Sequence, residues 1–280
     1  MSDGLSWFPA AAKLNLFPHV VGRRPDGYHL LQTVFRFIDC CDEIGLRVRD
    51  NGAIRRITDV PGVAAEEDLC VRAATLLRRV TGCGLGADIA VRKRIPMGGG
   101  LGGGSSDAAT TLIALNRLWG TGLARSRLEA LALQLGADVP VFVHGRTVFA
   151  EGVGERFQEI ELKPDWYLVL TPQVSVSTAE IFSAPELTRN TKPIKMAAFF
   201  RGEGHNDLEP VVCRRYPVVA EHLQWLRQFS QAAMSGSGAC VFASFDSRST
   251  AQELFDRLPE TMRGFVARGL ERHPLAADGA

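Results

Sequence analysis

Apolar residues follow two spacings along this chain of 280 residues, one typical of helices and one of strands. Helices are predicted over 69–80, 105–119, 126–135, 178–182, 218–229 and 249–258, and another begins at 206–209. Strands are predicted over 31–38, 43–49, 53–58, 87–95, 166–170, 241–245 and 262–267. Asp68 precedes the first helix and is a candidate N-cap. Because helices and strands alternate in both halves without a continuous parallel βαβ series, the pattern predicts an α+β fold.

Turn residues and polar stretches indicate how these elements are connected. Asp50-Asn51-Gly52 is typical of a hairpin turn and predicts that strands 43–49 and 53–58 pair with each other. Glu151-Gly152-Val153-Gly154-Glu155 indicates a hinge, so we predict an N-terminal domain at 1–155 and a C-terminal domain at 156–280. The polar stretch 184–205 predicts an irregular surface crossing, and the tail from His273 is expected to fray.

Composition and charge narrow the class of protein. The chain is 46% hydrophobic and 22% charged, with a formal net charge of +1, which is typical of a soluble globular protein and gives no overall attraction to nucleic acid or membrane. Six cysteines show no spacing suited to zinc and are expected to be reduced thiols. Without an export signal or an apolar run of membrane-spanning length, the expected location is cytoplasmic.

A glycine-rich stretch from Pro96 to Ala109 carries the clearest chemical signal. Six of the seven positions 98–104 are glycine, and Ser105, Ser106 and Asp107 follow before a helical run. A loop with so few Cβ atoms can bring its backbone amides close to a ligand, and the positive end of the next helix favours an anion. The stretch therefore predicts a phosphate-binding loop.

Other interpretations of this loop fit less well. None of the five lysines follows a glycine, so the Gly-Lys-Ser/Thr pattern of the ordinary P-loop is absent. Gly98-x-Gly100-x-x-Gly103 matches the dinucleotide-binding pattern, but that fold needs a second strand with an acid about 20 residues later, where this chain predicts the helix 126–135. A flexible linker would not usually lie between a strand and a helix with two serines at the junction.

Lys13 and Asn15 are polar residues inside an apolar run, 8–17. A strand with Leu14 and Leu16 facing the core and these two residues facing solvent explains the run equally well. The alternative is function, since a lysine ammonium is a compact charge suited to a phosphoryl group.

Two acidic residues lie near helix starts. Asp138 precedes the apolar run 139–143, where Pro140 fits the first turn of a helix and a capping role is sufficient. Asp107 is a second candidate acid, but a carboxylate in the first turn of the loop helix is already favoured by the helix dipole.

Several motifs together resemble one family. Pro-x-Gly-Gly-Gly-Leu-Gly-Gly-Gly-Ser-Ser resembles the phosphate loop of the GHMP small-molecule kinases, which include galactokinase, homoserine kinase and mevalonate kinase. Ala12-Lys13-Leu14-Asn15-Leu16 and Ser235-Gly236-Ser237-Gly238-Ala239 extend the resemblance along most of the chain, and Gly136-Ala137-Asp138-Val139-Pro140 narrows it further within the family. It implies a first domain like ribosomal protein S5 domain 2, a ferredoxin-like second domain, and phosphorylation of an alcohol by ATP with Mg²⁺.

The resemblance also implies roles for individual residues. Lys13 and Asp138 would be catalytic, with Asp138 acting on the acceptor hydroxyl proton either as a base or as an orienting acceptor. The ATP phosphates would be held by Pro96, Gly98, Gly99, Gly100, Gly102, Gly103, Gly104, Ser105 and Ser106, with one of the serines helping to position phosphate or Mg²⁺. The metal ligands stay open. Relatives often carry asparagine at the position of Asp68, so we interpret Asp68 only as a cap.

The acceptor is indicated by a second group of residues. On its own, the segment 22–29 is a surface turn. Asp26-Gly27-Tyr28-His29 resembles the segment that holds a cytosine in one branch of the family, which implies that Asn15, Tyr28, His29 and Phe182 bind 4-diphosphocytidyl-2-C-methyl-D-erythritol, a compound of the non-mevalonate isoprenoid pathway. The product would carry phosphate on the 2-hydroxyl.

Two alternatives remain. The chain could be another GHMP kinase with a sugar, homoserine or mevalonate-type acceptor, or a non-catalytic nucleotide- or RNA-binding module on the same fold. We expect a small-molecule substrate, no nucleic-acid or membrane partner, and a monomer or weak homodimer.

Overall fold

A computed structural model describes residues 4–163 and 165–276. Its strands are β1 (Ser6–Arg23), β2 (His29–Arg49), β3 (Ile54–Arg56), β4 (Gly86–Arg92), β5 (Val148–Gly152), β6 (Arg156–Glu159), β7 (Trp166–Leu170), β8 (Ala232–Met234), β9 (Val241–Phe245) and β10 (Gly264–Leu270). Its α-helices are α1 (Leu69–Thr81), α2 (Gly103–Leu118), α3 (Arg125–Leu135), α4 (Val139–His144), α5 (Thr178–Ser183), α6 (Met196–Phe200), α7 (Glu209–Arg215), α8 (Pro217–Arg227) and α9 (Arg248–Phe255). The predicted α+β class is confirmed.

Strand β2 connects the two halves of the sheet. One of its edges pairs with β1 along most of its length, and the other pairs in turn with β5, β10 and β4. Strand β10 continues into the order β10-β7-β9-β8, which belongs to the second half of the chain. β1 and β2 are far longer than an average strand. The length of β2 lets it pair with strands from both halves of the chain, and β1 follows it along most of that length.

Separate apolar clusters fill the two halves. The largest packs helices α1 to α4 against the first strands and draws its buried residues only from positions 10–150. A second comprises Val20 and buried residues between 168 and 254. The boundary near residue 155 falls in the turn between β5 and β6, two strands that pair with each other. The division into 1–155 and 156–280 stays a prediction.

The local signals for α1 are confirmed. Asp68 accepts a hydrogen bond from the amide of Cys70 at 2.7 Å and so caps the helix, and Gly82 ends it in the left-handed conformation. All six cysteines are free, and burial raises the pKa of Cys240 to about 12. Among the described helices, none is both long enough and apolar enough to cross a membrane.

The predicted hairpin of strands 43–49 and 53–58 is wrong. These segments do not pair with each other, because β4 lies between them, antiparallel to β2 and parallel to β3. Asp50-Asn51-Gly52 does form a turn. The chain after it does not pair with β2, however, and β3 lies on the opposite edge of β4. A turn signal reports local geometry only, and it does not determine which strand β3 pairs with.

Two further predictions need correction. Part of the stretch predicted as an irregular surface crossing forms α6, and Phe199 stacks on the buried Phe17 with ring centroids 5.4 Å apart. The tail does not fray at His273, which is fully buried and accepts a hydrogen bond from the amide of Ala11 at 3.2 Å. Residues 277–280, the rest of that predicted tail, lie outside the described residues.

The buried His273 predicts a pH-dependent loss of stability. Burial lowers its pKa from 6.5 to about 4, so folding favours the neutral imidazole. The resulting stabilisation is present above pH 6.5 and is lost as the pH falls towards 4. From the two pKa values we expect His273 to remove about 2 kcal/mol of unfolding free energy between pH 7 and pH 5.

Urea unfolding of the wild type and of His273→Gln at both pH values measures this contribution. The glutamine variant has no imidazole to titrate, so its stability should fall less between pH 7 and pH 5. An equal fall in both proteins would show that His273 titrates normally.

Candidate active site

A cleft of about 460 Å³ runs between the two halves, and the glycine-rich loop forms one wall. Residues 96–105 line it together with Lys13, Asn15 and Asp138 from the first half and Thr178, Phe182, Gly236 and Ser237 from the second. The segment around Lys13, the glycine-rich loop, Asp138 and the motif 235–239 are far apart in the sequence but meet at one place.

The loop needs glycine because neighbouring chain passes very close to it. Gly100 has φ of +73°, and a Cβ there would lie 2.1 Å from the carbonyl oxygen of Ser235. Gly102 also has φ of +73°, and a Cβ there would lie 2.8 Å from the Phe142 ring and 3.0 Å from Cε of Lys13. A side chain at either position would be strained and would push the loop away from its neighbours.

The motif Ser235–Ala239 holds the loop from the other side. The amides of Ala239 and Cys240 donate to the carbonyls of Gly98 and Gly99 at 3.2 and 3.1 Å. Ser235 Oγ donates to the carbonyl of Gly100 at 3.0 Å. These bonds use the carbonyls of the loop. Among the described residues, none accepts a hydrogen bond from the amides of 98–102, so these amides are available to a ligand.

The two serines after the loop have different surroundings. Ser106 is fully buried and its Oγ donates to the carbonyl of Ala11 at 2.7 Å, which fastens α2 to β1. Ser105 lines the cleft. Gly102 is the N-cap of α2 and offers no side-chain acceptor, so the first amides of a sixteen-residue helix face the cleft region without a capping group. Such a helix start favours an anion.

Lys13 lies at the centre of the site. It is only 2% exposed, and its Nζ donates to Asn15 Oδ1 and, at 3.1 Å, to the carbonyl of Gly100. The alternative in which Lys13 and Asn15 face solvent is wrong, since Asn15 is 6% exposed and its backbone amide donates to Ser235 Oγ. Burying a charged ammonium group costs free energy unless it is paired with acceptors. The contacts of Lys13 Nζ with Asn15 and Gly100 therefore stabilise the buried charge.

Asp138 provides the charge opposite Lys13. Its Oδ2 lies 3.2 Å from Lys13 Nζ, and the side chain is 39% exposed. Asp138 occupies the N-cap position of α4 but makes no capping hydrogen bond. The capping interpretation is therefore wrong, and the carboxylate is free to act on a ligand in the cleft.

A second ion pair beside the loop was not predicted. Lys93 Nζ contacts Asp42 and lies 2.8 Å from Asp107 Oδ2. Asp42 also accepts hydrogen bonds from the amides of Arg94 and Ile95, which fixes the start of the loop. Burial raises the pKa of Asp107 to about 7, with a contribution from the Asp42 carboxylate and an opposing one from Lys93. Helix-dipole placement alone does not account for Asp107.

Part of the cleft wall beside the loop is apolar. Val60, Val63, Leu69 and Ile95 line it, with Asp68 among them. Asp68 is buried and paired with Arg56 at 2.8 Å as well as capping α1, so both of its oxygens are engaged.

The residues predicted to hold the acceptor are only partly together. The ring of His29 lies 5.0 Å from that of Phe182, which lines the cleft, and Asn15 lines it too. Tyr28 is 62% exposed on the turn between β1 and β2 and does not line the cleft. Arg189, which the sequence analysis missed, donates from Nε to His29 Nε2 at 3.1 Å.

Comparisons with known proteins agree with this site. Residues 68–146 match the family described as "GHMP kinases N terminal domain" and residues 190–264 match "GHMP kinases C terminal". The 4-diphosphocytidyl-2-C-methyl-D-erythritol kinase of Thiobacillus denitrificans is 64% identical over 268 residues, 96% of each chain. The chain belongs to the GHMP kinase family. It is therefore a small-molecule kinase, and its two-domain α+β fold is the fold of that family.

Other relatives and solved structures are consistent with this assignment. The protein of the same name from Nitrosomonas europaea is 61% identical over 96% of this chain and 98% of its own. A crystal structure of 4-(cytidine 5'-diphospho)-2C-methyl-D-erythritol kinase is 34% identical, with a TM-score of 0.79 over 94% of this chain and 99% of that chain. A mevalonate kinase at 17% identity and a TM-score of 0.71 shares the fold.

Proposed function

We propose that this kinase transfers the γ-phosphoryl group of ATP to the 2-hydroxyl of 4-diphosphocytidyl-2-C-methyl-D-erythritol. The observation that carries the proposal is the meeting of Lys13 and Asp138 beside the phosphate loop, in a cleft whose second half supplies Phe182. The acceptor is that of the relatives at 56–64% identity, as their names state it.

ATP would bind along the wall formed by the loop. The amides of residues 98–105 and the start of α2 suit the triphosphate, and the apolar part of the wall near Val60 and Leu69 suits the adenine ring. The carbonyls of Gly98, Gly99 and Gly100 already accept hydrogen bonds from residues 235–240. The phosphates would therefore face amide donors rather than free carbonyl oxygens. This arrangement supports assigning a role in nucleotide binding to Pro96, Gly98, Gly99, Gly100, Gly102, Gly103, Gly104 and Ser105. Ser106 would act indirectly, because its hydrogen bond to Ala11 fixes the start of α2.

The transfer itself needs alignment and charge neutralisation. The acceptor 2-oxygen forms a bond to the γ-phosphorus while the bond from that phosphorus to the β,γ-bridging oxygen breaks, and ADP leaves with the electron pair. Asp138 accepts the proton of the 2-hydroxyl, and the Lys13 ammonium offsets the negative charge on the transferring group. Because Lys13 also contacts the carbonyl of Gly100, it joins the acceptor side of the site to the phosphate loop.

Mg²⁺ would accompany ATP and takes oxygen ligands, commonly one or two carboxylates besides phosphates and water. Oδ1 of Asp107 is buried without a hydrogen-bond partner, and Ser105 lines the cleft nearby. Within 4–163 and 165–276, no group of three or more His, Cys, Asp or Glu residues could hold a metal alone. Because both residues line the cleft, Ser105 and Asp107 would hold the ion together with the phosphates, and its charge would offset that of the triphosphate.

Kinetics with a panel of acceptors tests the proposal. Purified enzyme with ATP should phosphorylate the cytidylylated compound in preference to its uridine analogue, free methylerythritol, homoserine, mevalonate or galactose, with ³¹P NMR locating the new phosphate on the 2-oxygen. Stacking of a base on an aromatic ring contributes about 1–3 kcal/mol, so Phe182→Ala should raise KM for the acceptor roughly 10- to 100-fold and leave KM for ATP nearly unchanged.

Phe200→Ala is the matched control, because Phe200 is 56% exposed on α6 and does not line the cleft. If free methylerythritol and the cytidylylated compound are phosphorylated equally well, the cytidine assignment is wrong. The chain would then be a GHMP kinase with another acceptor. Failure to phosphorylate any acceptor would instead favour a nucleotide-binding module. The cytoplasmic location and the monomeric or weakly dimeric state stay predictions.

A further inference from the structure

Arg189 contacts two of the residues that would hold the acceptor base, His29 and Phe182, although it lies in no recognised motif. Its Nε donates to His29 Nε2 at 3.1 Å, and its Nη2 donates to the carbonyls of Phe182 and Ala184 at 2.9 and 2.7 Å. Its Nη1 donates to the carbonyl of Leu187 at 3.0 Å. The guanidinium thus uses all three nitrogens to join the start of β2 to the end of α5.

The contact with His29 determines where the imidazole carries its proton. A guanidinium has only donors, so His29 Nε2 must present a lone pair to it. A neutral imidazole with a lone pair on Nε2 carries its proton on Nδ1. His29 Nδ1 makes no hydrogen bond to any other residue in the described part of the chain, so this N–H is available to a ligand.

The charges around His29 act in the same direction. Burial, then Arg189, then Arg23 lower its pKa below 6.5. Arg24 and Asp26 in the adjacent turn pair with each other at 2.7 Å and are both exposed. The imidazolium form is therefore disfavoured by Arg23 at the end of β1 and by Arg189 in the segment after α5.

We propose that Arg189 is a positioning residue for acceptor specificity, which holds His29 as the neutral Nδ1–H tautomer beside Phe182. The inference rests on the proposed function, since it concerns how the cytidine end of the acceptor is read. An Nδ1–H donor matches N3 of cytosine, which is an acceptor, and opposes N3 of uracil, which carries a proton. Stacking on Phe182 accepts any base, so the donor supplies the discrimination.

Nitrogen-15 NMR of the histidine side chains tests the tautomer without any acceptor present. His29 resonances are assigned from their absence in His29→Asn. In the wild type at pH 8, Nδ1 should be protonated and Nε2 unprotonated, and the ring should titrate below pH 6.5. In Arg189→Gln, the ring should titrate closer to pH 6.5 and populate the Nε2–H tautomer. Arg23→Gln is the matched control, because it removes a nearby cation that does not bond to the ring, and its tautomer should match the wild type.

Kinetics then connects the tautomer to specificity. Arg189→Gln should raise KM for the cytidylylated acceptor about 10-fold, the scale of one lost hydrogen bond, with kcat and KM for ATP changing less than about 3-fold. The KM of this variant should rise further as the pH falls through 6.5, whereas that of the wild type should begin to rise only at a lower pH, since the pKa of its His29 is lowered. The preference for the cytidine over the uridine compound should shrink. Arg189→Lys keeps the positive charge but lacks the planar guanidinium with its several donors. Its KM for the cytidylylated acceptor should lie between those of the wild type and Arg189→Gln.

The outcomes separate the two proposals. A protonated Nε2 in wild-type His29, or an unchanged tautomer in Arg189→Gln, overturns the role of Arg189 even if the acceptor is correct. Because the first measurement uses the wild type, it is decisive whether or not the variant folds. A confirmed tautomer together with no preference for a cytidylylated acceptor would instead overturn the proposed function.

Discussion

Replacing Asp138 with asparagine is expected to lower kcat by roughly 10²- to 10⁴-fold while the fold and the affinity for ATP are kept, if the carboxylate is a general base. Asparagine has nearly the same shape, and the side chain is 39% exposed, so little packing changes. It cannot take up the proton of the acceptor hydroxyl. It also leaves Lys13 without its ion-pair partner, although Asn15 and Gly100 still accept hydrogen bonds from it.

The measurement combines steady-state kinetics with equilibrium binding of ATP and thermal unfolding. A folded Asp138→Asn enzyme that binds ATP and turns over at the wild-type rate would remove Asp138 from the mechanism. Asp50→Asn is a suitable control, because Asp50 is an exposed acid in the turn after β2 and does not line the cleft.

Replacing Lys13 with methionine is expected to lower kcat by about 10²- to 10³-fold, the usual cost of removing one donor from a site where charge develops. Methionine fills the volume of the lysine stem, which is almost fully buried, and so avoids the cavity that alanine would leave. We also expect a rise in KM for ATP, since Lys13 Nζ holds the carbonyl of Gly100 in the phosphate loop.

The double variant Lys13→Met with Asp138→Asn distinguishes joint action from separate roles. If both residues serve one transition state, the combined loss in kcat should be smaller than the product of the two single losses. Losses that simply multiply would indicate independent roles. Lys192→Met, at a lysine in the polar stretch after α5, is the matched control and should leave kcat unchanged.

The sequence by itself determined the parts that local chemistry controls. The period of apolar residues located α1, α2 and α3, and Asp68 marked the start of α1 because an N-cap needs only its own helix. The six glycines and the helix after them indicated a phosphate loop, since positive φ and free amides are local properties. The motifs and their order along the chain identified the kinase family by resemblance, and the family matches confirm it.

Only the tertiary structure decided what depends on partners distant in the chain. Strand β4 pairs between β2 and β3, a choice that no turn signal contains. His273 is buried against Ala11, more than 250 residues away in the sequence, so its surroundings could not be read from the tail. The same holds for Ser106, which contacts Ala11, and for Ser105, which lines the cleft.

For the charged residues of the site, the sequence supplied candidates and the tertiary structure decided how they pair. Lys13 and Asp138 could be selected as candidates from the residues around them, but each also had an explanation as a strand or cap residue. Their ion pair requires β1 and the start of α4 to meet, and only the packed fold brings them together at 3.2 Å. Arg189 gave no signal in the sequence, because an arginine acquires a role from the acceptors that its guanidinium reaches, and those lie on two separate segments.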